Sequence, residues 1–135
     1  MDAKTDGRAR RQISAKNPLQ LTAAIIFAVS YVAITVISTW VKTSFGAAGI
    51  IVLALAVGLT DIAPFVTSLA QGGETNLAQG VVIAAILTAA SSNNLLKAVY
   101  ALVFGGRAAA LAPAAMLAGL AALGFVAAAA YGWQG

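Results

Sequence analysis

The chain has 135 residues, 61% of them hydrophobic and 9% charged, with a net charge of +4 and a mean hydropathy of +0.91. Soluble domains carry about 25% charged residues, so a water-facing globule is excluded and lipid is the expected solvent. The absence of Cys and His removes thiol chemistry, haem ligation and ordinary zinc sites. No cofactor is therefore expected, and the redox compartment stays open.

Residues 1–17 differ from the rest. They hold Lys4, Arg8, Arg10, Arg11 and Lys16 against Asp2 and Asp6, with few apolar residues, and are expected to be a mobile basic tail in water. Residues 18–135 are expected to form one membrane domain. The tail leads directly into an apolar run, so anionic lipid is its expected contact and nucleic acid is not. Asn17-Pro18 reads as an N-cap followed by proline in the first helical turn.

A spanning helix needs about 20 apolar residues. Four segments qualify in chain order: Leu19 to Val41, Ala47 to Ala70, Leu77 to Phe104, and Ala108 to Trp133. The first exceeds a signal-peptide core and reads as an uncleaved span. The connections Lys42–Gly46, Gln71–Asn76 and Gly105–Arg107 are short. Short connections force antiparallel neighbours, so the expected fold is all-α, an up-down four-helix transmembrane bundle. The fourth segment is mostly alanine, and a kink or a partly interfacial helix is an alternative there. With the N-terminus inside, the inner side carries Lys4, Arg8, Arg10, Arg11 and Lys16, and the outer side carries Lys42 and Arg107. That asymmetry puts both termini in the cytoplasm.

Each segment has an inward stripe. Tyr31, Thr35, Ser38 and Lys42 recur at helical spacing in the first; they are polar glue between helices or the lining of a polar path. Ala54, Gly58, Asp61, Phe65 and Ser68 share a stripe in the second. Gly124, Ala128 and Gly132 make a small-residue ridge in the fourth, as do Ala115 and Gly119, and tight packing is the expected use.

Asp61 is an acid inside an apolar span. A carboxylate there costs about 2.5–3.5 kcal/mol on insertion scales unless it is paired, hydrated or protonated. Gly58 and Pro64 bracket it. Proline removes an N–H and frees the carbonyl four residues earlier, that of Thr60. The second helix is thus expected to break near Gly58–Pro64, as a plain kink or as an ion site built on freed backbone. The third segment carries Thr88, Ser91, Ser92, Asn93, Asn94 and Lys97. At helical rise, Asp61 and Asn93 lie about 21 Å and about 16 Å from the far side, and Lys97 about 10 Å. An Asp61–Asn93–Lys97 network is expected, with Asn94, Thr60 and Ser92 as neighbouring ligands. No nucleophile–base pair is present, so an enzyme is not expected.

The strings Lys16-Asn17-Pro18-Leu19-Gln20-Leu21, Gly58-Leu59-Thr60-Asp61, Thr67-Ser68-Leu69-Ala70, Asn93-Asn94-Leu95-Leu96-Lys97 and Gly105-Gly106 occur in an order and spacing that carry a resemblance. The chain resembles, over about residues 16–120, the uncharacterised membrane domain found behind an MgtC/SapB-type module in bacterial inner-membrane proteins. The resemblance implies that Asp61, Asn93 and Lys97 are the matching site positions, and that the inner membrane is the location. It suggests magnesium homeostasis or transport by association alone. Two positions depart from the pattern. Ala63 stands where the family usually has a second aspartate, and Pro64 where a small residue is usual, which weakens a two-carboxylate cation site. The usual preceding module lies outside these 135 residues, so a fragment, a stand-alone version and one part of a split system are all compatible.

The expected function is therefore an integral inner-membrane protein of transporter-like character, moving or sensing a small ion, proton or solute. Asp61 would bind the cation or proton and Lys97 would neutralise the empty site. The metal, if there is one, stays unspecified. The alternative is a non-transporting accessory subunit, in which Asp61 and Lys97 form a structural pair. Four helices are few for a transporter, so either reading expects a homo-oligomer or another membrane protein as partner, an MgtC/SapB-type module among the options.

Overall fold

A computed structural model describes residues 18–72 and 76–132. The expected tail, its Asn17 cap, part of the Gln71–Asn76 connection and Trp133 of the fourth segment lie outside the described residues. Four helices follow one another: α1 (Pro18–Val57), α2 (Ala63–Ala70), α3 (Gln79–Phe104) and α4 (Arg107–Gly132). Among the described residues there is no strand, as the all-α expectation requires. Three helices are long and apolar enough to cross a membrane, over Leu19–Val57, Gln79–Phe104 and Ala109–Gly132. The chain divides after Ser30 into two compact units. Up to Ser30, α1 exposes nearly every large apolar side chain, Leu19, Leu21, Ile25 and Phe27 among them. The second unit, from Tyr31 on, holds the core and the site.

The expected loop Lys42–Gly46 contracts to a single residue. Helical structure reaches Phe45, because nothing in Lys42-Thr43-Ser44-Phe45 interrupts it and the Thr43 hydroxyl donates back to the Trp40 carbonyl at 2.9 Å. Gly46 alone is non-helical, with φ 65° and ψ −152°, a region open essentially to glycine. The bend is sharp. A Cβ built on Gly49 would stand 2.8 Å from Val41 Cγ1, a residue two turns back on the other limb.

The second expected segment, Ala47 to Ala70, is broken near Gly58–Pro64 as expected. The second limb of α1 ends at Val57, and α2 starts at Ala63. Limb 31–45 runs antiparallel to α2, since Tyr31 OH donates to Gln71 Oε1 at 3.3 Å while Thr35 Oγ1 and Ser68 Oγ are 2.9 Å apart. The core joins Ile50, Ala54 and Val57 of α1, Phe65 and Leu69 of α2, and Ala85 and Ala89 of α3. Ile34 and Val41 pack against it from the first limb.

Helices α3 and α4 are antiparallel neighbours joined at Gly105–Gly106. The small residues make this contact close, as expected. A Cβ on Gly124 would collide with Ser91 Oγ, and one on Gly132 would lie 3.8 Å from Ala84 Cβ. The buried positions Ala110, Ala114, Ala121 and Ala128 recur at four and seven residues, the stripe of a packed helix. The alanine-rich segment is thus helical as far as Gly132, with Pro113 inside it. The second ridge does not pack: Ala115 is exposed, and nothing lies within 4 Å of a Cβ on Gly119.

Gly58 meets α3 more tightly still. A Cβ there would collide with Ser92 Cβ and stand 2.7 Å from the Ala89 carbonyl oxygen. A backbone oxygen cannot swing aside, so Gly58→Ala should lower the unfolding free energy in detergent by about 1–3 kcal/mol. Gly119→Ala should leave it within about 0.5 kcal/mol. Equal thermal midpoints for the two variants would contradict this packing.

Candidate functional site at the helix break

The break spans Gly58 to Ile62, and many of its backbone groups have partners. Gly58 N–H still donates to Ala54 O at 3.0 Å, and Leu59 and Thr60 N–H donate to Ala56 and Val57 O at 3.1 and 2.9 Å. The Thr60 hydroxyl also donates to Val57 O, at 3.0 Å. α3 supplies three further bonds. Ser92 Oγ donates to Leu55 O at 2.9 Å. Asn93 Nδ2 donates to two carbonyls, Gly58 O at 3.0 Å and Thr60 O at 3.3 Å. Both acceptors are oxygens, so the amide must turn its NH2 toward them. The Thr60 carbonyl is the one that Pro64 frees, and Asn93 takes it.

Asp61 starts the new helix. Its Oδ1 accepts the N–H of Ala63, the first residue of α2, at 2.9 Å. Pro64 comes next, where the missing N–H needs no acceptor and the fixed φ suits a first turn. So Pro64 does not merely bend a continuous helix; with Asp61 it opens a separate one. The Asp61 side chain is exposed on the chain's surface, and one oxygen engages the backbone.

The expected three-residue network is only partly assembled. Asn93 is buried against the break, while Asn94, its neighbour, is half-buried. Ser92 and Thr60 bond backbone carbonyls as described. Lys97 is exposed on α3, and among the described residues no ion pair joins it to Asp61. The α3 turn explains the split: Asn93 and Ala98 face inward, and Lys97 sits on the outer edge between Leu95 and Val99, both exposed. Among the described residues no group of three acidic or other metal-ligating side chains gathers.

Hydroxyls complete the interior. Thr35 Oγ1 donates to Tyr31 O at 2.8 Å and meets Ser68 Oγ. Their partnership was not readable beforehand. Both residues stood on polar or inward stripes, but spacing within a helix cannot say which stripes meet. Ser38, one turn after Thr35, is fully buried, and its hydroxyl has no hydrogen-bond partner.

Helices of membrane-spanning length, a helix broken at Gly58–Ile62 and an acid at the break define a multi-helix membrane protein with a discontinuous segment. Residues 1–105 match the model of a domain of unknown function, DUF4010, and the chain belongs to that family. It is 40% identical over 96 residues to an uncharacterized protein of Aquifex aeolicus (strain VF5), a match covering 70% of this chain and 42% of that relative. The chain therefore spans about two fifths of the relative's length. No solved structure matches.

Asn93 and Ser38 make opposite tests. Asn93→Ala strands two carbonyls in an apolar setting and should lower stability by about 1–3 kcal/mol. Ser38→Ala deletes a hydroxyl that has no partner and should leave stability unchanged or raise it. Thermal unfolding in detergent separates the two; a destabilised Ser38→Ala variant would mean that the hydroxyl holds a hidden partner such as a water.

Proposed function

We propose that the protein is a transporter-like component of the bacterial inner membrane that moves or senses a small cation or a proton, with Asp61 as the titrating group. The observation that carries this reading is the exposed carboxylate at a helix break, in a segment that holds no other charge. Charged groups at membrane depth are expensive and mark ion or proton routes, and paired half-helix ends are a common way to build such routes. A proton fits better than a magnesium ion. Mg²⁺ wants near-octahedral oxygen ligation, whereas here the break carbonyls of Gly58 and Thr60 already accept from Asn93. Asn94, Thr60 and Ser92 are the nearby neutral groups, and Lys97 is the compensating charge.

One observation favours the second reading, a non-transporting accessory subunit. The same Asn93 bonds would hold the break as a rigid packing element. In either case the chain acts in an assembly, with lipid around it and a second copy or another membrane protein beside it. The resemblance to domains behind MgtC/SapB-type modules makes such a module a candidate partner.

Purified protein in liposomes carrying a pH-sensitive dye tests the choice. The wild type should dissipate an imposed proton or cation gradient, and Asp61→Asn should abolish the flux. Asparagine keeps an Oδ1 to accept the Ala63 N–H, so its thermal midpoint should stay within a few degrees. Flux from Asp61→Asn equal to wild type, or a silent wild type, would turn the reading to the accessory subunit.

The location proposed places both termini in the cytoplasm. In cells with a permeabilised outer membrane, an impermeant thiol reagent should label Ser44→Cys and spare Asp2→Cys. The chain has no native cysteine to confuse the readout. The reverse pattern would invert the topology.

A further inference from the structure

Asp61 and Lys97 present an unresolved charge balance. Each is the sole charged residue of its apolar segment, Ala47 to Ala70 and Leu77 to Phe104. Both are exposed on the surface of the single chain, and among the described residues no ion pair joins them. Asn93 ties their surroundings together: it bonds the carbonyls on either side of Leu59, the second of them on the residue before Asp61, and it precedes Lys97 by one helical turn. That turn is about 6 Å along α3, within the reach of a lysine stem. The two charges therefore occupy one band of the molecule. Exposed Leu59, Leu95 and Val99 flank them. An acid and a base facing hydrocarbon each carry a penalty that an opposite charge relieves.

We propose that this band is the contact between two copies of the chain, with Asp61 of one copy paired to Lys97 of the other. A two-fold interface places the same patch on both sides, so each copy gives one acid and receives one base, and two reciprocal ion pairs form. Charge complementarity selects a second copy over lipid, because the patch carries both members of the pair and a lipid tail satisfies neither. The contact is independent of whether the assembly transports. It accounts for the carboxylate that α2 holds outward at its N-terminus and for the lysine among leucine and valine.

Reconstituted vesicles and two dye-labelled pools test it, each pool labelled at a cysteine appended after Gly135. Energy transfer between pools reports association. Asp61→Lys places lysine opposite lysine in a dimer of its own kind; Lys97→Asp places acid opposite acid. Each variant alone should associate about tenfold or more weakly than wild type. Mixed together, the two variants form both reciprocal pairs and should regain most of the transfer. A pair formed within one chain would be broken in both variants and gain nothing from mixing.

Should the reversed charges fail to insert, the neutral variants Asp61→Asn and Lys97→Gln make the same comparison. Each alone forms no pair, and their mixture forms one. Wild-type protein that does not self-associate overturns the proposal, as does a mixture no stronger than its separate components. Failure here with proton flux intact would leave the transport reading standing. Restored pairing with no flux would leave the interface standing alone.

Discussion

The two hydrogen bonds from the Asn93 amide to Gly58 and Thr60 are the contact on which the second unit turns. Inside a bilayer every backbone polar group needs a partner from the protein or from enclosed water. A helix that stops at Val57 and starts again at Ala63 interrupts the ladder that normally supplies them. Asn93 replaces the lost donors from a neighbouring helix, and Ser92 does the same for Leu55 O. The amide reaches because Gly58 has no side chain, which lets α3 bring the Ala89 backbone alongside. Gly58 and Asn93 are therefore one device: the first provides the proximity and the second uses it. Either alone leaves an exposed break.

The same device divides the polar groups into settled and unsettled ones. The Thr60, Ser92, Thr35 and Ser68 hydroxyls all have partners. These bonds are short and internal, and their net worth in membranes is about 0.6–2 kcal/mol each. They position helices and leave little capacity for a ligand. Asp61 and Lys97 stand apart. Asp61 uses one oxygen to start α2 and keeps its charge at the surface. Lys97 shares a helix with Asn93 but not its inward face. Asp61 and Lys97 stay outside this set of internal bonds, as does the buried Ser38 hydroxyl.

Much of this was legible in the sequence, and unevenly so. The all-α class, the apolar spans, the break between Gly58 and Pro64 and the meeting of Asn93 with that break follow from hydropathy, proline chemistry and helical rise. The Gly124 ridge follows from small residues at spacing four. Three features did not follow. The turn at Gly46 absorbs the loop expected over Lys42–Gly46, because a glycine in its special φ/ψ region reverses a chain in one residue where composition suggests five. Ala115 and Gly119 share the spacing of a packing ridge but face outward, since spacing alone does not name the buried face. The third is the partner of Asp61: among the described residues no ion pair joins it to Lys97, because a carboxylate two residues before a helix's first position finds a backbone N–H close at hand.

One Asp61 oxygen accepts the Ala63 N–H at the start of α2, and the side chain is otherwise exposed. Asn93 bonds the carbonyl of the residue just before Asp61. The amide lock therefore fixes the backbone on one side of Asp61 and the first turn of α2 fixes it on the other, so the carboxylate has one place on the break whatever packs against it.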